Sequence, residues 1–300
     1  MVDTKPIIAA IGNFDGVHLG HQALLRETVK VAQRENACVG AIVFDPHPRR
    51  FFQPDAPGFL LSSSIGRDSL LRTHGAERVL RIPFDEVLSK MPPTDFVKNV
   101  LVDRMGVFGV VAGSDFRFGV NRQGNAALLK QLGEGADFFA AIVDLVTDDT
   151  QGEKFGSTAI RNAIQNGDMV SAARMLGHLW SVQGMVIEGQ RLGRTLGFPT
   201  ANITLGDYVE PRHGVYAVNV LHDGHAYDGV ANFGRRPTVG SEAPLLEVHL
   251  FDFSGDLYGA LIDVNFVDFI RDEQKFDGLD ALKSQIAKDI TSAQVILKTD

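Results

Sequence analysis

Two histidines three residues apart, His18 and His21, close a glycine-rich run, Ile11-Gly-Asn-Phe-Asp-Gly-Val-His-Leu-Gly-His21. On a helix that spacing brings both imidazoles to one side. Gly12, Gly16 and Gly20 let backbone come close to a bulky ligand. A helix start adds N–H donors for an anion. With Asn13 and Phe14 in the same stretch, the segment is suited to gripping the phosphates of ATP beyond the C-terminal edge of a parallel sheet. A tight strand-to-helix turn capped by histidines is the plainer alternative. A zinc site is another, although no cysteine and no third histidine stands at ligand spacing. Neither Gly-x-x-x-x-Gly-Lys-Ser/Thr nor Gly-x-Gly-x-x-Gly occurs, so any nucleotide is held without those loops.

A second chemical segment is Gly193-Arg-Thr-Leu-Gly-Phe-Pro-Thr-Ala-Asn202. Glycine-assisted amides around Gly193 and Thr195 precede a Pro-fixed turn that carries Thr200 and Asn202. Hydroxyl and carboxamide oxygens are hard ligands that suit Mg²⁺ alongside phosphate oxygens and water. Glu247 lies in the strand-like run Leu245–Phe253. A carboxylate there is either a solvated strand residue or a base for a neutral hydroxyl.

These residues need elements to hold them. Apolar runs of strand length occur at Pro6–Ile11, Ala37–Phe44, Arg78–Ile82, Val107–Gly113 and Phe138–Val143. Helix-length segments such as His21–Glu35, Arg67–His74 and Pro93–Arg104 separate them, which predicts a parallel sheet covered on both faces. Near Trp180 the pattern changes to alternating strands, Gly214–Leu221, Ala226–Asn232, Leu245–Phe253 and Leu261–Phe269, with Asp223-Gly224 as a hairpin turn. That grammar predicts a small antiparallel barrel. A closing helix carries Leu279, Leu282, Ile286 and Ile290 on one face, with Asp277 as its expected N-cap. Val209–Tyr216 is expected to form a mobile flap before a barrel strand.

Three hundred residues suit two domains, here expected at 1–180 and 181–300. A net charge of −8 argues against a nucleic-acid partner. No apolar run has the length of a membrane helix. The N-terminus lacks a signal-peptide layout, and the lone Cys38 has no disulfide partner, so a cytoplasmic location is expected.

With these segments in view, the chain resembles bacterial bifunctional riboflavin kinase/FAD synthetases over roughly residues 7 to 290. His18-Leu-Gly-His21 resembles the His-x-Gly-His signature of nucleotidyltransferases. Phe44-Asp-Pro-His-Pro48 resembles the family's second signature, and Gly113-Ser-Asp-Phe-Arg-Phe-Gly119 its flavin- and nucleotide-contacting loop, which implies Asp115 and Phe116 at the flavin. Gly156-Ser-Thr-Ala-Ile-Arg161 resembles a Ser-Ser-Thr-x-Ile-Arg motif, implying that Ser157, Thr158 and Arg161 contact ATP phosphates. Gly156 stands where the motif has its first serine, so that hydroxyl contact is not carried over.

In the second half, Pro199-Thr-Ala-Asn202 resembles the magnesium- and ATP-binding motif of riboflavin kinases, and the resemblance places the catalytic base at Glu247. Ile270-Arg-Asp-Glu-Gln-Lys-Phe276 resembles an Arg-x-Glu-x-x-Phe segment, implying Arg271, Glu273 and Phe276 as flavin or lid contacts. Asn232-Phe-Gly-Arg-Arg-Pro237 resembles a further kinase signature without assignable roles. The resemblance implies an α/β nucleotidyltransferase-type parallel-sheet domain followed by a small antiparallel β-barrel with a C-terminal helix. It implies phosphorylation of riboflavin to FMN, then adenylylation of FMN to FAD, with ATP as co-substrate and Mg²⁺ as cofactor. An adenylyltransferase for another metabolite fused to an accessory barrel, or a flavin-binding regulator without turnover, are the rival readings.

Overall fold

The computed structural model describes residues 5–134, 138–144, 156–189, 197–234 and 244–298. By compactness the chain divides into Met1–Ala56 with Ser64–Gly156, and Pro57–Ser63 with Ser157–Asp300. The compact units thus part after Gly156, while the expected functional division lies at residue 180. Helices Ser157–Asn166 and Met169–Leu176 go with the barrel, since Arg212 N–H donates to Ile164 O (3.2 Å) and Gly167 packs against Arg212 and Phe269.

In the first unit, β1 (Ile7–Ile11), β2 (Cys38–Asp45), β3 (Arg78–Pro83), β4 (Val107–Gly113) and a later strand, Phe139–Val143, form one parallel sheet. Its order is β3-β2-β1-β4 with Phe139–Val143 outermost. Every residue of β1 and nearly all of β2 are buried, as expected for strands covered on both faces. Helix α1 (Leu19–Arg34) turns Leu24, Leu25, Val31 and Ala32 onto one face of the sheet. The segment expected as one helix, Pro93–Arg104, is a single α turn that widens into a π-helix over Phe96–Arg104. Short strands β5 (Arg117–Phe118) and β6 (Gly124–Asn125) follow β4, so Phe139–Val143 is β7.

The second unit contains β8 (Trp180–Met185), β9 (Ala201–Thr204), β10 (Gly214–His222), β11 (His225–Gly234), β12 (Leu245–Leu250) and β13 (Leu261–Asp272). They run antiparallel in the order β8-β13-β10-β11-β12-β9. A bridge between Ile187 and Asn202, just past β8, brings the two edges together into a nearly closed barrel. Leu246, Val248 and Leu250 alternate inward along β12. Asp223 and Gly224 both have positive φ, 47° and 76°, as the two-residue hairpin turn between β10 and β11 requires.

The C-terminal helix spans Leu279–Leu297 and covers Val215, Ala217, Val230 and Val267 with Ile290, Ala293, Ile296 and Leu297. Leu279 is exposed, and the N-cap is Gly278, whose cap has no side-chain hydrogen bond, so Asp277 lies one residue outside the expected role. The expected flap at Val209–Tyr216 is not a flap. Val209 is buried and donates to Leu60 O (2.9 Å), while Gly214–Tyr216 already belongs to β10. Segment Pro57–Ser63 is annealed to the barrel: Phe59 and Leu60 N–H groups share Asp207 O, and Trp180 Nε1 donates to Leu61 O.

Candidate active sites

The parallel sheet places the exits of β2, β1 and β4 side by side, because β1 is flanked by the other two. The exit of β1 carries the glycine run. Phe14 takes a left-handed conformation (φ 54°) and Gly16 another (φ 75°), which folds Asp15–Val17 into a tight turn feeding α1. His18 caps α1, its Nδ1 accepting from His21 N–H at 3.4 Å. An accepting Nδ1 leaves the proton of neutral His18 on Nε2. The His18 and His21 rings stack with centroids 3.7 Å apart and planes at 18°. Burial, and then the charge of His18, hold the His21 pKa well below the ordinary imidazole range. His21 Nδ1 is buried with no hydrogen bond among the described residues.

Asn13 is exposed beside this pair. Phe14, expected at the nucleotide, is fully buried with its ring 5.1 Å from that of His21. The exit of β2 carries Asp45, a cis bond to Pro46, and His47, whose Nδ1 accepts from Arg49 N–H (3.1 Å) to cap α2 (Pro48–Phe52). Phe51, Phe52 and Phe84 meet edge to face there, and Phe52 is 64% exposed. At the exit of β4, Asp115 is exposed and Phe116 stacks on Phe118 at 5.6 Å.

Sequence reasoning missed Arg67 on helix α3 (Ser64–Thr73), which packs on the Asp15–Val17 turn. Its guanidinium is buried near Asp68, Asp45 and Asp15, with Nε 3.7 Å from Asp68 Oδ1, and among the described residues its Nε and Nη2 make no hydrogen bond. Burial lowers its pKa, against the pull of those carboxylates. Only the contact geometry, not a motif, reveals it. Ser157, Thr158 and Arg161 begin a helix of the other unit, where Arg161 Nε donates to Phe59 O at 2.6 Å and its guanidinium lies over the Phe59 ring.

The barrel assembles the second candidate site by register. Glu247 on β12 pairs with Asn202 on β9 and with Asn232 on β11. Directly paired residues share a face, so two carboxamides flank one carboxylate in a row across three strands. Asn202 is buried, and its carboxamide fills the space a Cβ of Gly189 would take. Thr200 lies just before β9 and is half-buried. Asn232 stands in the signature whose roles could not be assigned from sequence. Gly193 and Thr195 lie outside the described residues, as do Arg235–Pro237.

Beyond the row, the charged segment divides. Glu273 packs against Gly234, with His213 Nδ1 3.5 Å from its carboxylate. Arg271 instead forms a two-point pair with buried Asp289 (2.9 and 2.7 Å) and donates to Asp272 O. These bonds tie β13 to the C-terminal helix, and the Phe276 ring lies 5.8 Å from the Arg271 guanidinium, the two residues expected at the flavin.

Comparison with known proteins completes the picture. The family model described as FAD synthetase matches residues 2–159, and the one described as riboflavin kinase matches 176–297. The bifunctional riboflavin kinase/FMN adenylyltransferase of Haemophilus influenzae is 40% identical, covering 96% of this chain and 94% of that one. The Bacillus subtilis protein of the same name is 36% identical over 94% and 90%. A Streptococcus pneumoniae structure described as a macrolide-efflux protein superposes with a TM-score of 0.85 at 31% identity, covering 98% of this chain and 95% of that one. That description concerns the other protein; here no described helix is long and apolar enough to cross a membrane. The chain belongs to the bifunctional riboflavin kinase/FMN adenylyltransferase family.

Proposed function

We propose that the chain converts riboflavin to FMN at the barrel site and FMN to FAD at the parallel-sheet edge, consuming ATP in both steps. The functional division proposed is residues 1–180 for adenylylation and 181–300 for phosphorylation. The observation that carries the reading is the register that seats Glu247 between Asn202 and Asn232.

In the kinase step the riboflavin 5′-hydroxyl attacks the γ-phosphorus of ATP, and ADP leaves. Glu247 orients that hydroxyl and accepts its proton. Among the described residues no three His, Cys, Asp or Glu side chains cluster as a metal cage. Thr200 and Asn202 still fit Mg²⁺, which takes few protein oxygens and completes its shell with water and phosphate. When bound, the ion would neutralise charge on the transferring phosphates. The pairing of Asn232 with Glu247 supports a role for it in hydrogen-bonding the ribityl chain, and Glu273 and Phe276 are candidates for closing over the flavin.

In the adenylyl step the FMN phosphate is already an ionised nucleophile, so no protein base is needed. Its oxygen attacks the α-phosphorus and pyrophosphate departs. His18 and His21 donate to α-phosphate oxygens as charge builds there. A stack at 3.7 Å disfavours two cations, so these donors act with at most one positive charge between them. Gly12, Asn13 and Gly20 supply close backbone and polar contacts. Asp115, Phe116 and the exposed Phe52 patch suit the isoalloxazine ring. Ser157, Thr158 and Arg161 enter this reading through their motif alone. ATP, riboflavin and FMN are the proposed small-molecule partners, and the cytoplasm the proposed location.

The test is a chromatographic time course with riboflavin, ATP and Mg²⁺. FMN followed by FAD is expected. FMN alone would retain the kinase and implicate Gly156 in failed adenylylation; neither product would sink the reading.

A further inference from the structure

Resting on the kinase reading above, we infer that His249 is a positioning residue that clamps the loop bearing Thr200 onto the strand bearing Glu247. His249 follows Glu247 by two residues on β12, so both side chains leave the same face of that strand. Its Nδ1–H donates to the Pro199 carbonyl at 2.8 Å. The Phe198 ring stands edge-on to the imidazole, with centroids 5.7 Å apart and planes at 88°. Phe251, on the same strand run, meets the imidazole at 6.0 Å.

The two oxygen-bearing side chains of this loop are held differently. Asn202 lies inside the ladder, paired with Glu247, and its backbone carbonyl accepts from Ile187 N–H at 2.9 Å. Thr200 precedes β9 and stands outside that ladder. Immediately before Thr200, the Pro199 carbonyl and the Phe198 ring both engage His249. The position of the Thr200 hydroxyl relative to Glu247 is thus tied to the His249 imidazole. A displacement of ~1 Å at a reacting centre costs about 100-fold in rate, so a clamp of this kind has kinetic weight.

His249→Ala is expected to lower kinase kcat/KM for ATP about 10- to 100-fold, with the KM for riboflavin within about twofold. Conversion of supplied FMN to FAD stays unchanged. His249→Asn offers an amide donor near the place of Nδ1 and restores kcat/KM to within about fivefold, whereas His249→Gln, whose donor reaches further, does not. Deuterium uptake in the peptide covering Phe198–Thr204 rises in the Ala and Gln variants and returns toward wild type in Asn. A His249→Ala enzyme within twofold of wild type, or an Asn variant no better than Gln, overturns the clamp. Should the Ala variant fail to fold, the Asn and Gln pair decides alone. Glu247→Gln is assayed beside them: a fully active chain there overturns the kinase reading itself, whereas its inactivity beside a wild-type-like His249→Ala overturns only the clamp.

Discussion

The two units handle phosphorus chemistry with opposite architecture. At the parallel-sheet edge, the groups come from strand exits: the turn after β1 with the start of α1, the cis-proline turn after β2 and the segment after β4 lie side by side because β1 is flanked by β2 and β4. In the barrel, Asn202, Glu247 and Asn232 sit on or directly beside strands, locked by ladder pairing. Under the proposed function, the difference follows from the nucleophiles. A phosphate already carries its charge and needs donors that surround a large anion, which convergent loops with N–H groups provide. A hydroxyl must lose a proton to one base at a fixed distance, which a rigid strand holds better than a loop.

The sharpest way to break this contrast is at the base. Glu247→Gln should reduce FMN formation by roughly 10²- to 10⁴-fold, the usual contribution of a general base, while supplied FMN is still adenylylated. Equal loss of both products, measured chromatographically, would mean that the two chemistries do not sit apart. His21→Ala is the converse. Removing one donor to the developing charge should cost about 10²- to 10³-fold in FAD formation, and an unaltered rate would take His21 out of the site.

Arg271 sharpens the contrast through stability. If its pair with Asp289 is a tie between strand and helix, Arg271→Ala should destabilise the barrel unit by about 3 kcal/mol. The KM for riboflavin should then move little in the folded fraction. A stable variant with a much higher KM would return Arg271 to the flavin.

The smallest effect concerns pH. The His21 pKa is lowered in the folded chain, so the unfolded chain binds more protons once the pH falls below about 6.5. The native state then loses stability as pH drops through that range, and no contribution remains above it. Denaturation midpoints of the first unit at pH 7.5 and 5.5 should differ less in His21→Gln than in wild type; an equal difference would remove His21 as the cause.

Much of this was readable from composition and period. Continuous apolar runs marked β1, β2 and β4, since a strand buried on both faces must be apolar throughout, and Asp223-Gly224 marked its hairpin because both residues take positive φ. His18, His21, Thr200, Asn202 and Glu247 stood in local motifs. What escaped was non-local. Asn232 joins Glu247 only through strand register, and Arg67 reaches the Asp15 turn only through helix packing. Phe14 and Arg271 sat in motifs that suggested ligands, and the burial of the one and the Asp289 pair of the other were likewise not legible in sequence. Pro57–Ser63 joins the barrel from more than a hundred residues away in sequence, which no local pattern signals.

The most direct test of two independent sites is complementation. Glu247→Gln and His21→Ala proteins are each given riboflavin, ATP and Mg²⁺, alone and mixed, and FAD is followed over time. The account predicts almost no FAD from the first, FMN without FAD from the second, and FAD from the mixture. A mixture that makes no FAD, although each variant retains its own intact half-reaction, would contradict it.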